Sequence, residues 1–275
     1  MKTINLLFIG NSYSRNLETL MPMLAKNLGI NLNVVNFYYG GCSLNQHYEF
    51  ISKKQRVYEI DVYDSNKKTW TYQTGKTVDD VINLFKWDFI SLQQCSIWSG
   101  KNTKEHWGVL PKLKKLVRKL FSKNSPNFKL IWHMTWAYAE FYPLEDSFYK
   151  DIYKDIYKDQ YKMYYDIVLA EKENIFLDKD FAFTLPSGHV LKELRLYFKD
   201  DKLMMSDGVH LNGKFSYFCT ALAALARIAK PNKMYEKSFN LKCIKFNLNG
   251  QNVLYRFNKK EIELLNQIVK TSLKY

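Results

Sequence analysis

A polar segment near the start of the chain could supply a nucleophile. The apolar run LLFI is followed by GNSYS at 10–14. Ser12 would lie just beyond a first strand and at the entrance to a helix, where its hydroxyl is exposed for attack on a carbonyl carbon. Asn11, Ser12 and Ser14 are also residue types that commonly cap helices. From this segment alone, a capping serine and a nucleophilic serine are both open.

A second segment, SDGVHLN at 206–212, could supply the base that a nucleophilic serine needs. Asp207 and His210 stand three residues apart in a loop that leads into a helical pattern. This spacing lets the carboxylate bond one imidazole nitrogen and leaves the other nitrogen for the hydroxyl of Ser12. An ordinary surface loop accounts for the pair equally well in isolation, so the chemistry requires both segments to meet in the fold.

In type, order and position, the two segments resemble the outer motifs of the SGNH (GDSL-like) hydrolase superfamily. These motifs are Gly-Asp-Ser or Gly-Asn-Ser after the first strand and Asp-x-x-His near the carboxyl terminus. The resemblance implies a catalytic triad of Ser12, Asp207 and His210. The further segments GGCSL, LQQCS, WHMTWAY and LPSG are similar to a poorly characterised bacterial branch of the superfamily, and the matches extend over residues 4–230.

The resemblance also implies a set of oxyanion donors. Gly41, with Gly40 as the alternative, corresponds to the glycine whose N–H binds the oxyanion, and a glycine lets the backbone approach closely. The third block departs from most members, because SLQQCS at 91–96 contains no Asn. A glutamine amide can supply the same donor, as in the similar sialate O-acetylesterase-like branch, which predicts Gln93 or Gln94.

Apolar runs that alternate with helical patterns define the elements that would position these residues. Such alternation predicts a three-layer α/β/α sandwich with a central parallel sheet, and the resemblance implies the flavodoxin-like SGNH hydrolase fold. The strands are predicted at 4–9, 33–39, 88–93, 129–135 and 174–178. The segment 57–74, with alternating apolar residues around SNKK, predicts an inserted β-hairpin.

The first helix is predicted from Leu17 to Leu28, with Gly29 as its cap and with Pro22 marking a first turn or a kink. The repeat YKDIYKDIYKDQYK at 149–162 predicts a charged surface helix with Lys and Asp at i, i+4. Further helices are predicted at 78–86, 111–123, 215–229 and from Lys259, and a hairpin at 247–250.

The absence of a Pro/Gly/Ser-rich linker predicts a single domain over 1–275, in which residues 231–275 extend beyond the motifs. The four cysteines (Cys42, Cys95, Cys219 and Cys243) are far apart and form no CxxC, so free thiols are expected. His47, His106 and His189 have no paired ligand spacing. We therefore expect no metal and no cofactor.

Composition bounds the partners and the compartment. The hydrophobic content is 47 % and the charged content 25 % in 275 residues, as in an ordinary globular protein. The sequence contains neither a membrane-spanning run nor a signal-type segment, so a cytoplasmic location without membrane contact is expected.

The net charge of +14 raises the question of nucleic acid binding. In the densest basic patch, 111–123, apolar residues recur every three or four positions, which predicts an amphipathic helix with lysines on its solvated face. Because no recognition motif accompanies the charge, a nucleic acid partner is not expected.

The sequence thus predicts a serine ester hydrolase that acts on O-acyl, above all acetyl, esters of small molecules or carbohydrates. Asn11, His133 and Trp136 are predicted to line the pocket, and a satisfied core histidine is an equal interpretation of His133. An O-acyltransferase with the same triad and a non-catalytic glycan- or anion-binding module are the alternatives. The acyl group, the alcohol and the oligomeric state are left open.

Overall fold

A computed structural model describes residues 3–143, 147, 149–229, 243–248 and 251–275 of the chain. Its main feature is a sheet of seven strands. The strands are β1 (Thr3–Gly10), β2 (Asn31–Tyr38), β3 (Tyr58–Asp64), β4 (Thr69–Lys76), β5 (Phe89–Leu92), β6 (Lys129–His133) and β7 (Phe181–Leu185). They lie in the order β4-β3-β2-β1-β5-β6-β7.

Helices connect and follow these strands. They are α1 (Ser12–Glu18), α2 (Met21–Asn27), α3 (Leu44–Ser52), α4 (Asp79–Ile82), α5 (Lys104–Trp107), α6 (Leu110–Phe121), α7 (Lys150–Ile156), α8 (Gln160–Glu171), α9 (Ser187–Leu194), α10 (Gly213–Ile228) and α11 (Lys259–Ser272). A separate antiparallel pair, β8 (Cys243–Leu248) and β9 (Gln251–Arg256), precedes α11.

Five strands form the parallel part of the sheet. β1 pairs in parallel with β2 and with β5, and β6 continues the parallel pairing from β5 to β7. Numbered among themselves, these strands have the order 2-1-3-4-5, which is that of flavodoxin-like folds. The predicted fold class is confirmed.

Both faces of this sheet are covered, as alternation along β1 illustrates. Leu6 and Phe8 belong to the core cluster that includes residues of α1, α2, α9, α10 and α11. Leu7 and Ile9 belong to the opposite cluster, with residues of α3, α4 and α6. Successive residues of a strand point to opposite faces, so an unbroken apolar run is what a strand covered on both sides requires.

The predicted hairpin insertion is also confirmed. β3 pairs antiparallel with β2 and with β4, so the hairpin extends the parallel sheet at one edge. Arg15 of α1 binds the hairpin through Asp61 of β3, because its Nε lies 2.7 Å from Asp61 Oδ2. The guanidinium also stacks on Tyr38 of β2, 3.5 Å from the ring centroid.

The first predicted helix is two helices in the structure. α1 already begins at Ser12, and α2 begins at Met21 with Pro22 in its first turn, where a missing N–H costs nothing. Gly29 ends α2 with a φ of +72°, as a left-handed cap requires. The break at Pro22 was predicted, but the start at Leu17 was wrong by a turn and a half. The helix predicted at 78–86 is reduced to α4, which ends at Ile82.

The strand predicted at 174–178 is wrong. Residues Lys172–Phe176 form a π-helical turn that continues α8, and β7 lies further on, at Phe181–Leu185. Ile175 is buried in this turn, whereas Leu177 is 80 % exposed. A short apolar run bounded by polar residues is compatible with a strand or with a helix end, and periodicity does not separate the two.

The repeat at 149–162 forms two helices instead of one. α7 ends at Ile156, and Lys158 adopts a φ of +68° before α8 begins at Gln160. Tyr153 and Tyr157 are fully buried and belong to the core, whereas Tyr161 is 85 % exposed.

The predicted helices at 215–229 and from Lys259 correspond to α10 and α11. The hairpin predicted at 247–250 corresponds to β8 and β9, and positions 249 and 250 between these strands lie outside the described residues. Arg227 of α10 donates to the carbonyl oxygens of Leu273 and Tyr275 at 2.9 and 3.0 Å, which ties the carboxyl end to the core. Within the described ranges, every helix is too short or too polar to cross a bilayer.

Candidate active site

The candidate residues follow the carboxyl ends of neighbouring parallel strands. Ser12 follows β1, Gly41 follows β2 and Gln93 follows β5, so all three lie at one edge of the sheet. The chain leads from β1 to β2 on one side of the sheet and from β5 to β6 on the other side, so the strand order reverses between β1 and β5. In open α/β sheets, ligands bind at such a switch point.

The structure separates helix capping from the role of Ser12. Asn11 is the N-cap of α1, and its Oδ1 accepts from the N–H of Tyr13 at 3.1 Å. Ser12 is the first helical residue and is half-buried, and its hydroxyl forms no hydrogen bond within the described part of the chain. The capping function belongs to Asn11, and the hydroxyl of Ser12 is left available.

Gly10, which precedes Asn11, is required because the side chains of Ser14 and Gln93 approach its Cα closely. A Cβ on Gly10 would lie 2.2 Å from Ser14 Oγ and 2.9 Å from Gln93 Oε1. Any larger residue would therefore displace the side chains on which the start of α1 rests.

Asn11 joins the loops after three strands. Its Nδ2 donates to the carbonyl oxygen of Cys42 at 3.1 Å, and its Oδ1 accepts from Gln93 Nε2 at 2.6 Å. The side chain is only 2 % exposed. It lies under the site and fixes the start of α1 against the Gly40–Gly41 loop, instead of lining an open pocket.

Gln93 continues this network toward β6. Its Oε1 lies 2.9 Å from His133 Nδ1, and His133 Nε2 lies 3.0 Å from Ser187 Oγ. Because Gln93 donates through Nε2, its Oε1 must accept, so His133 carries its proton on Nδ1 and accepts from Ser187 on Nε2. Burial lowers the pKa of His133 to about 3 and keeps the ring neutral. Of the two interpretations, His133 is the satisfied core histidine.

The side chain of Gln94 forms its hydrogen bonds with the segments around Leu44 and His106 instead of with Asn11. Its Oε1 accepts from the N–H groups of Leu44 and Cys95 at 3.1 and 2.8 Å, and its Nε2 donates to the carbonyl oxygen of His106 at 2.8 Å. Both glutamines are fully buried and position neighbouring loops. Donation to an oxyanion stays a prediction for each, with one amide hydrogen left for it.

Asp207 and His210 form a close pair. Asp207 Oδ2 lies 2.6 Å from His210 Nδ1, and Oδ1 accepts from the N–H groups of Val209 and His210 at 2.8 and 3.0 Å. Burial alone would raise the pKa of Asp207, but the hydrogen bonds from His210 and Val209 outweigh it and hold the pKa below its ordinary value. The carboxylate stays ionised and fixes the ring through Nδ1.

The loop that carries this pair is bound to α1. Asn16 Oδ1 accepts from the N–H of Leu211 at 3.0 Å, and the His210 ring meets Tyr13 edge-to-face at 6.2 Å. His210 thus packs on the residue that follows Ser12. Among the described residues, no hydrogen bond joins the His210 ring to the Ser12 hydroxyl.

Trp136 supports the loop from below. It is fully buried, its ring stacks on Tyr13 at 3.8 Å with an interplanar angle of 5°, and its Nε1 donates to the carbonyl oxygen of Val209 at 2.9 Å. Trp136 and His133, which the sequence predicted to line the pocket, both have no exposed surface in the structure.

Sequence reasoning missed Tyr13 and Asn16, which bind the histidine loop. Both lie on α1, one and four residues after Ser12, so a helix that starts at Ser12 would have placed them. The predicted start at Leu17 hid this signal. The described residues contain no cluster of His, Cys, Asp or Glu suited to hold a metal ion.

The strand order and the switch-point site define a flavodoxin-like α/β protein. Residues 5–248 match the family described as a domain of unknown function, DUF4886, and the chain belongs to this family. No curated protein matches the sequence.

The chain is similar to several solved structures. A DUF4886 family protein from Bacteroides uniformis is 25 % identical, with a TM-score of 0.80 over 100 % of this chain and 96 % of that one. A candidate SGNH hydrolase from Slackia heliotrinireducens is 18 % identical, with a TM-score of 0.48 over 82 % and 99 % of the two chains. A family 3 carbohydrate esterase from Clostridium thermocellum is 13 % identical, with a TM-score of 0.45 over 80 % and 92 %.

Proposed function

We propose that this protein is a serine ester hydrolase of the SGNH type, with Ser12 as nucleophile, His210 as base and Asp207 as the residue that orients the base. The observation that carries the proposal is the 2.6 Å pair of Asp207 and His210 on a loop bound to the helix that begins with Ser12. A carboxylate held on Nδ1 leaves Nε2 as the nitrogen that accepts a proton.

In the proposed reaction, Ser12 Oγ attacks the ester carbonyl carbon while its proton passes to His210 Nε2. The C=O electron pair moves to the oxygen, and the C–O bond to the alcohol then breaks as His210 returns the proton to the leaving oxygen. Water repeats the sequence and releases the acid. The hydrogen bond between Ser12 and His210 is expected to form in the substrate complex, since such bonds are often long in free enzymes.

The backbone supplies two donors for the oxyanion. The N–H groups of Ser12 and Gly41 form no hydrogen bond within the described part of the chain, and Gly41 is exposed with a φ of +63°. Free backbone donors beside a nucleophile are what a developing negative charge requires.

We assign the substrate class from the resemblance stated above: O-acyl esters, with acetyl as the first acyl group to test and carbohydrates as the first alcohols. The same triad supports transfer to a sugar hydroxyl if the bound acceptor excludes water.

The test compares the wild-type protein with Ser12→Ala in hydrolysis of p-nitrophenyl acetate and butyrate. A fluorophosphonate probe and peptide mass spectrometry locate the reactive residue. We expect labelling on Ser12 and a loss of kcat of roughly 10³-fold or more in Ser12→Ala, with a similar loss in His210→Ala. Ser122→Ala, an exposed serine at the end of α6, is the matched control and should retain full activity.

The other outcomes are equally specific. A folded protein that neither turns over these esters nor reacts with the probe would overturn the enzyme proposal and favour a binding module. Labelling of Ser12 with slow hydrolysis that accelerates on addition of a sugar, together with an acylated sugar product, would identify an acyltransferase instead.

A further inference from the structure

The candidate oxyanion site has two backbone donors but no committed side-chain donor. Gln93 directs one amide hydrogen to Asn11, and Gln94 directs one to the carbonyl oxygen of His106. Both amides are buried beneath the loops. A side-chain donor that faces the substrate from another element would complete the site.

Tyr149 occupies such a position. Its hydroxyl lies 3.5 Å from the point where a Cβ on Gly41 would stand. Because a Cβ lies about 1.5 Å from its Cα, the hydroxyl is within about 5 Å of the Gly41 Cα. The side chain is half-buried, so part of it is in contact with solvent.

Neighbouring groups hold this hydroxyl and keep its proton. It is in hydrogen-bonding contact with the thiol of Cys95, which is buried beside Gln94. Burial, and after it the proximity of Cys95, raises the pKa of Tyr149. A phenol that remains protonated at neutral pH is a hydrogen-bond donor.

Contacts of Tyr142 and Tyr149 connect the loop that carries Asp207 and His210 with the loop that carries Gly41. The N–H of Ala139 donates to the carbonyl oxygen of Gly208 at 2.7 Å, and a Cβ on Gly208 would lie 3.2 Å from Tyr142. The hydroxyl of Tyr142 in turn hydrogen-bonds the backbone of Tyr149. Tyr149 is therefore fixed relative to both sides of the candidate site.

We propose that the Tyr149 hydroxyl is the side-chain donor to the oxyanion, in the place that the sequence assigned to a glutamine. This inference rests on the proposed function. As the bond from Ser12 Oγ to the carbonyl carbon forms, the proton of Ser12 passes to His210 Nε2 and the carbonyl oxygen gains the electron pair. Tyr149 keeps its own proton throughout, and its single O–H turns from Cys95 Sγ to donate a hydrogen bond to that oxygen.

The test is Tyr149→Phe, which removes the oxygen and keeps the ring. Loss of one oxyanion donor should lower kcat for p-nitrophenyl acetate about 100-fold with little change in KM. A trifluoromethyl ketone, which forms an oxyanion-bearing adduct with a serine, should bind more weakly by a similar factor. Tyr161→Phe, 85 % exposed on α8, is the matched control and should behave as wild type.

The outcomes separate this inference from the proposed function. If the wild-type protein hydrolyses the ester and Tyr149→Phe retains kcat and ketone affinity within twofold, Tyr149 is not the donor and the triad stands. If the wild-type protein neither turns over ester nor reacts with the fluorophosphonate probe, the proposed function itself fails, and the inference with it. A kcat loss that follows unfolding in a denaturation curve, while the ketone affinity of the folded fraction is unchanged, would also overturn it.

Discussion

His133 lies at the centre of a buried polar chain that runs from the candidate site into the core. It donates from Nδ1 to Gln93 and accepts on Nε2 from Ser187, while Gln93 holds Asn11. Each of these side chains is buried, so each requires its partner. An unpaired buried polar group costs about 1–3 kcal/mol.

We therefore expect His133→Phe to lower the free energy of unfolding by about 3 kcal/mol, because it leaves the oxygens of Gln93 and Ser187 without their partner. Ser187→Ala removes one end of the chain and should cost about 1 kcal/mol. Urea denaturation of the three proteins measures both values. Equal free energies of unfolding for His133→Phe and the wild type would show that this series of buried hydrogen bonds contributes nothing to stability.

At the residue scale, the sequence predicted what is local and missed what is distant. The pairing of Asp207 with His210 follows from a spacing of three residues. The contact between Asn11 and Gln93 spans 82 positions, and nothing in either segment indicates it. Gln93 was predicted as a donor to an oxyanion from its place in the third block, and its bonds to Asn11 and His133 could not be predicted in this way.

At the scale of elements, the break between α7 and α8 shows how one residue overrides a repeat. The sequence YKDIYKDIYKDQYK has helical character throughout, but Lys158 adopts the left-handed region with a φ of +68°. This conformation costs a non-glycine residue roughly 1 kcal/mol. Tyr153 and Tyr157, one helical turn apart and both before the break, are buried.

Lys158→Gly should accordingly raise the free energy of unfolding by up to about 1 kcal/mol, since glycine adopts a positive φ without a steric penalty. Lys154→Gly, the equivalent lysine one repeat earlier and inside α7, should lower it by about 1 kcal/mol. Chemical denaturation distinguishes the two signs. A destabilising effect of the same size at both positions would mean that residues 157–159 are helical in solution.

The wrong strand at 174–178 and the correct hairpin at 57–74 differ in the information that each segment carries. In the hairpin, alternation on both sides of SNKK specifies two strands and their turn. In NIFLD the apolar residues are too few to establish a period, and the end of α8 decides their conformation. Tertiary context, which the sequence does not display locally, sets such short segments.

At the scale of the whole molecule, the order of strands and helices was predictable because parallel strands require crossovers, and those crossovers carry helical periodicity. The burial of ionisable groups could not be predicted from the sequence. Glu171 is fully buried with Trp132 Nε1 donating to it at 2.7 Å, and His47, His133 and His189 lie in the core.

These buried groups predict a maximum of stability near pH 6.5. Burial lowers the pKa of His47 and His133 to about 3 and of His189 to about 4, so the stability they contribute is complete above their ordinary value of 6.5 and is lost as pH falls toward 3. Burial raises the pKa of Glu171 to about 8, so its contribution is complete below its ordinary 4.5 and is lost as pH rises through 8.

Above pH 6.5 the three histidines are neutral in both the folded and the unfolded chain, so the decline in stability should come from the buried carboxyls of Glu171 and Glu18, whose pKa burial raises. We expect Glu171→Gln, which imitates the protonated acid, to remove about 2 kcal/mol of the fall in unfolding free energy between pH 6.5 and 8. Glu263→Gln, at an exposed site on α11, should leave that fall unchanged. Guanidinium denaturation at both pH values measures it. A fall in Glu171→Gln as steep as in wild type would mean that Glu171 is ionised in the folded protein.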